Sequence, residues 1–347
     1  MLSTNGSDVP AGSRHASSSL PVSAASSFTS LAILLLLASI SVIVLWLLIG
    51  HVTRTAELAD SVTQARWGLL PLAVLAACSN LLAAALRWKL ALRALGVSVA
   101  FRRCLVVMLA AFPFIVLAPM KSNELLRALP LKDDVPPLVC MISVAVERVV
   151  DVIVLLLLTL VGSLLLGRWH IAIATGVLLA GGAAVGLRLV PALHRMVRGR
   201  RTHHFSIMSG ALASLRARPL SSTAVLAASV VAWLAACALI LILLGVFGVS
   251  VGIGTVLVAW PLAVLVGVLP ISLAGMGTRD AAFVFALGWT GTAIANPGAV
   301  VTSTLAYAAL AIWLWVLVGL PFMHRHAAQL RASQVPRSGA GTDTTDL

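Results

Sequence analysis

Residues Leu31 to Gly50 read LAILLLLASISVIVLWLLIG. At 1.5 Å per residue, a helix needs about 20 such residues to cross roughly 30 Å of hydrocarbon, so this run alone restricts what the chain can become. Further apolar segments follow near 67–86, 104–119, 137–167, 170–190, 221–247, 252–271, 279–295 and 299–321. Lipid offers no water to backbone amides, which leaves helices or a closed barrel as spanning structures. The segments lack the period-2 alternation of barrel strands, which selects helices. The expectation is an all-α, polytopic helical bundle of about eight apolar segments.

Composition agrees, with 60% hydrophobic residues, 10% charged residues and a mean hydropathy of +1.06 excluding an ordinary water-soluble fold. The formal charge of +13 raises the question of nucleic acid, and its distribution answers it. Arg87, Lys89, Arg93, Arg102 and Arg103 form one acid-free group; Arg195, Arg198, Arg200, Arg201, Arg216 and Arg218 form another. Basic loops of this kind set membrane orientation, so both read as cytoplasmic and attracted to anionic lipid headgroups. No aromatic-basic interleaving accompanies them, and nucleic acid is not expected. Cys78, Cys104, Cys140 and Cys237 are far apart in apolar sequence and read as small core residues, without disulfide or metal spacing. His194, His203, His204, His324 and His326 sit among arginines that oppose a cation. No Walker loop, nucleophile elbow, zinc-protease or dinucleotide fingerprint appears, so no metal and no cofactor is expected.

Residues 1–27 are rich in Ser, Ala and Gly and read as a disordered cytoplasmic tail; 28–322 form the membrane domain, opened by a signal anchor; 323–347 form a flexible basic cytoplasmic tail. Both termini are thus expected on the cytoplasmic side of the cell (inner) membrane. Two basic loops on one side require an even number of crossings between them, yet three apolar segments lie there. A re-entrant hairpin returning through 121–134 repairs the parity and implies a cavity around its irregular backbone. In the second half, four segments allow four spans or two spans plus a re-entrant pair. Gly182 with Gly186, Gly248 with Gly252, and Asn80 are read as helix-contact residues.

Both halves contain an apolar segment ending at Pro and followed by a polar patch: Pro119 to Arg127, and Pro270 to Asp280. Paired interruptions of this sort point to a substrate site where two structural repeats meet. The acids Glu124, Glu147, Asp151 and Asp280 lie in or against apolar sequence, where an unpaired central charge costs about 2.5–3.5 kcal/mol, so each requires a partner. Glu147 and Asp151 share a helix face at i,i+4, and Arg148 reaches Asp151 at i,i+3. A self-paired cluster that only fixes packing competes with a polar cavity wall here. Lys121, Glu124 and Arg127 form a second mixed-charge group that a helix N-terminus capped by Ser122 or Asn123 would supplement for phosphate. Ser272, Gly275 and Gly277 precede Arg279 and Asp280, and the glycines would let backbone approach a headgroup. Four bases (Lys121, Arg127, Arg148, Arg279) balance the four acids, which fits a zwitterionic or amine-bearing headgroup or mutual neutralisation in an empty site.

Arg87-Trp88, Pro119 with Glu124 and Arg127, Glu147-Arg148-x-x-Asp151, and Pro270-x-Ser272-x-x-Gly275-x-Gly277-x-Arg279-Asp280 occur in an order that resembles the lysylphosphatidylglycerol synthase transmembrane-region family of flippase-like proteins. The likeness spans about residues 30 to 320. Asp280 stands where the family usually has Glu, and Asn123 where Gly is common. The resemblance implies transfer of a phosphate-bearing lipid, aminoacylated or polyprenyl-linked, between leaflets, as in the flippase half of the multiple peptide resistance factor. A separate lipid-modifying enzyme would then be a partner, since only a short tail follows Phe322 and aminoacylation is not expected of this chain. On the residues alone, a scaffold for an envelope-lipid pathway and a membrane-embedded transferase using Glu147 or Asp151 as general base remain alternatives.

Overall fold

The computed structural model describes residues 39, 42, 43, 46, 55–114, 131, 135–198, 210, 213, 214, 217–269, 272 and 275–323. These residues are helical with no strand among them: α1 (Thr55–Thr63), a 3-10 turn (Trp67–Leu69), α2 (Leu70–Ala94), α3 (Phe101–Ala111), α4 (Pro137–Leu165), α5 (Trp169–Arg198), α6 (Pro219–Val246), α7 (Ile253–Val268), α8 (Thr278–Trp289) and α9 (Pro297–Ala308). A π-helical turn, Ala309–Trp313, continues α9, and helical structure runs on to Met323. Among the described residues, Trp67–Ala94, Trp169–Arg188, Pro219–Val246 and Pro297–Met323 are long and apolar enough to cross a membrane.

The chain is therefore an integral membrane helical protein, with several elements placed differently from the sequence expectation. The second apolar segment does not stop at residue 86: its helix carries on to Ala94, so Arg87 and Lys89 belong to the helix instead of a loop. Arg87 is buried, which a loop arginine would not be. Segment 104–119 contains the short helix α3, ending at Ala111, while the hairpin expected through 121–134 falls almost entirely outside the described residues. The segment 279–295 forms a helix only to Trp289, where Gly291 at φ +75° turns the chain. At 1.5 Å per residue, α7 and α8 reach about 24 and 18 Å, short of the hydrocarbon thickness.

Helices α2 and α6 run against each other along their lengths and are tied at three levels. The Arg66 amide donates to Val246 O at 2.7 Å at one end, and Arg218 Nη1 donates to Arg93 O at 3.0 Å at the other. Midway, Asn80 Nδ2 donates to Ala232 O at 2.8 Å, so Asn80 does serve a helix contact. Helix α7 packs on both α4 and α8. The main core joins Leu239, Ile240 and Leu243 of α6 to Trp260 of α7 and Phe283 and Leu287 of α8. A second core joins Trp88 and Leu92 of α2, Val107 and Met108 of α3, and Cys140 of α4.

The glycine contacts differ from those read off the spacing. Gly248 and Gly252 stand between α6 and α7 and end one helix and begin the next, while Gly182 and Gly186 face open space. One close helix crossing lies elsewhere, where a Cβ on Gly162 of α4 would stand 2.8 Å from Gly254 O and from Leu257 Cβ of α7. Gly162→Leu is therefore expected to destabilise the protein by roughly 1–3 kcal/mol through overpacking, read as a lower unfolding temperature in detergent. Gly182→Ala, whose added Cβ meets nothing within 4 Å, is expected to leave that temperature unchanged or slightly higher.

Candidate functional site

Two groups of ionisable residues lie inside the bundle. In the first, Arg87 of α2 reaches across to α4, where its Nε stands 3.1 Å from Glu147 Oε1 and its Nη1 donates to Asp151 Oδ1. Arg148 Nη2 lies 3.1 Å from Asp151 Oδ2, the i,i+3 pair expected from the sequence. Trp233 of α6 donates its indole N–H to Asp151 Oδ1 at 2.7 Å. Next to Arg87, Trp88 Nε1 donates to Ser143 Oγ at 3.1 Å, which fixes the rotation of α2 on α4. Glu147 is fully buried, and Arg87 and Asp151 are nearly so. Charges at such positions persist only when paired and hydrogen-bonded.

Arg87 is the functional candidate that sequence reading assigned to the wrong environment. The signal was present: helix α4 carries two acids against one base, so a buried cation from another helix was required.

The second group sits at the start of α8. Gly277, at φ +83°, is the N-cap, a conformation that glycine adopts without strain. Its amide donates to Asp280 Oδ2 at 3.0 Å, and Asp280 Oδ1 accepts from Arg279 Nε and Nη2 at 3.2 and 3.0 Å. The Arg279 guanidinium lies 5.3 Å from the Trp260 ring centre and 5.1 Å from that of Tyr307, within cation–π range. The turn before α8 folds tightly onto α7, since a Cβ on Gly275 would meet Gly267 O at 2.8 Å. Ser272 Oγ and Thr278 Oγ1, 2.6 Å apart, close the same turn.

A cavity of about 160 Å³ opens beside Arg279, lined among others by Asn80, Trp233, Gly267, Gly275 and Tyr307. Ala311 and Ile312 of the π-helical turn complete its wall. Such a turn widens a helix locally and is frequent at functional sites. Trp233 thus has two faces of use: its indole N–H holds Asp151 in the first group, and its ring borders the cavity of the second. The structure brings Glu147, Arg148 and Asp151 together, and Arg279, Asp280 and Gly275 together. Ser272 and Gly277 shape the turn, and neither lines the cavity. Lys121, Glu124 and Arg127 lie outside the described residues. Asn80, Trp233, Trp260 and Tyr307 were not legible as site residues, because an aromatic or a single amide in an apolar helix looks the same in any core. Among the described residues, no group of three metal-ligating side chains converges.

The model of the family described as lysylphosphatidylglycerol synthase TM region matches residues 17–319. No curated protein matches the chain.

Removing the Arg87 cation leaves two buried carboxylates short of a partner. Arg87→Met is expected to cost about 3–5 kcal/mol, seen as a fall in unfolding temperature, and most of that loss should return when Glu147→Gln and Asp151→Asn are added.

Proposed function

This chain belongs to the lysylphosphatidylglycerol synthase TM region family, and we propose that it is a flippase that carries a phosphate-bearing lipid between leaflets. The observation that carries this reading is the placement of two buried charge groups, from residues 87–151 and 279–280, on either side of Trp233, which borders the cavity beside Arg279. Apolar packing alone would hold such a bundle together without the cost of burying ions. Asp280 is almost fully buried and accepts from Arg279, while the Arg279 side chain borders the cavity, so the charge offered to a ligand is positive. A phosphate suits that offer through charge-assisted hydrogen bonds.

In this reading α7 and α8 are a re-entrant pair. Both are too short to cross alone, they pack on each other, and the Gly275–Gly277 turn joins them. Acyl chains stay in lipid while the headgroup passes Arg279. The protein sits in the cell membrane with its arginine-rich segments and both termini facing the cytoplasm, and the modified lipid comes from a separate enzyme.

The test is lipid transfer in reconstituted vesicles carrying a headgroup-labelled phosphatidylglycerol. Wild type is expected to move the label between leaflets, and Arg279→Ala, folded by its unfolding temperature, to slow transfer by about tenfold or more, the worth of one charge-assisted hydrogen bond. Transfer by Arg279→Ala at the wild-type rate would refute the site. A wild-type protein that moves no lipid would favour a scaffold, and one that changes the lipid's mass a transferase.

A further inference from the structure

Helices α4 and α5 are joined by a short turn at Gly167 and diverge beyond it, leaving an apolar groove of about 1030 Å³ between them. Its α4 wall is the stripe Val149, Val152, Ile153, Leu156 and Leu157, and its α5 floor includes Gly182, Ala183 and Gly186. One charged side chain stands among the lining residues: Arg148, at the end of the groove away from the turn. Its side chain is 33% exposed, whereas Asp151, which it holds on the protein side, has only 5% of its side chain exposed. The groove therefore meets a cation whose counter-ion is covered.

The depth of this cation follows from the helix geometry. Helices α4 and α5 run antiparallel from the Gly167 turn, which sets Arg148 level with Gly186 and Leu187 of α5. From Trp169 to Leu187 helix α5 carries no Asp, Glu, Lys or Arg, and Arg188 is its first such residue, so Arg148 stands level with the end of that uncharged stretch. From Arg148 to Leu157 the groove runs nine residues of helix, about 14 Å, which is close to half of a hydrocarbon core roughly 30 Å thick. A phosphate at one end and one leaflet's depth of apolar channel below it describe a single lipid molecule.

We infer that the α4/α5 groove seats one acyl chain of a phosphodiester lipid from the leaflet nearest Arg188, with the lipid's phosphate on Arg148. This deepens the lipid-transfer reading and rests on it, because a lipid seated there has its headgroup beside Asp151, which is held by Trp233, a lining residue of the Arg279 cavity. Gly182 and Gly186 keep the channel open: a Cβ on either meets nothing within 4 Å, so larger side chains would fill the groove without disturbing the fold.

The experiment is photolabelling in maltoside micelles with phosphatidylglycerol carrying a diazirine midway along one chain, compared with diacylglycerol carrying the same chain. Peptides from α4 and α5 of the wild-type protein are expected to take up about fivefold more phosphatidylglycerol probe than diacylglycerol probe, the discrimination of one partly exposed charge pair. Arg148→Gln should abolish that preference and Arg148→Lys should keep it. The double variant Gly182→Leu with Gly186→Leu should lose groove labelling by both probes while the exposed face of α2 around Leu72 and Leu75 labels as before. Equal labelling by the two probes in wild type, or unchanged labelling in the glycine variant, overturns the proposal. So does recovery of a cross-linked peptide from residues 28–50 or from a second copy in the groove, because the small-residue floor would then be a helix-docking face. Labelling is an equilibrium measurement that needs no lipid movement, so its failure and the failure of vesicle transfer are separately visible.

Discussion

The ion pairs that Arg87 makes with Glu147 and Asp151 are the constraint on which the rest of the bundle depends. Two carboxylates on one face of a buried helix cannot stay ionised in an apolar interior unless a cation is brought to them from another element. Helix α2 supplies it, and the adjoining Trp88–Ser143 hydrogen bond fixes the angle at which it does so. Because α2 is also tied to α6 at both ends and at Asn80, the same placement delivers Trp233 to Asp151. Three helices far apart in sequence are thereby held in one register, and the cavity beside Arg279 is a product of that register.

Both charge groups share a polarity of construction. The acids are buried behind, and one arginine of each group reaches an open space: Arg148 a groove between helices, Arg279 a small cavity. A guanidinium held from the rear by a carboxylate, and in the case of Arg279 by the faces of Trp260 and Tyr307, loses little freedom when an anion arrives in front. The same arrangement keeps the site electrically balanced when it is empty. Glycines Gly267 and Gly275 let the turn before α8 press onto α7, which is what puts Arg279 against the aromatic rings.

Much of this was legible in the sequence, for physical reasons that also explain what was not. The helical class follows from apolar run length, and the Arg148–Asp151 pair from helix periodicity, since both are local properties. Arg87 was misplaced because a run of basic residues at the end of an apolar segment looks like an interfacial loop. Helix α2 in fact extends to Ala94, and its first arginine turns inward to meet acids 60 and 64 positions later. Gly182 and Gly186 have helix-docking spacing and yet face open space; Gly162 has no such partner in sequence and makes a close crossing with α7. The double use of Trp233 depends on which helices become neighbours, information that no single segment contains.

In the proposed function, the space beside Arg279 is a hydrated headgroup site inside an apolar bundle. Its most direct measurement places a single cysteine at Ala311, a cavity-lining position, in a protein freed of its four native cysteines, and follows modification by a charged methanethiosulfonate reagent in vesicles. The expected result is modification that is slowed by glycerol phosphate, with an Arg279→Ala background removing that protection. A cysteine at Ala311 as unreactive as one at Leu75 on the exposed apolar face of α2, or one that glycerol phosphate leaves fully reactive, would overturn that reading.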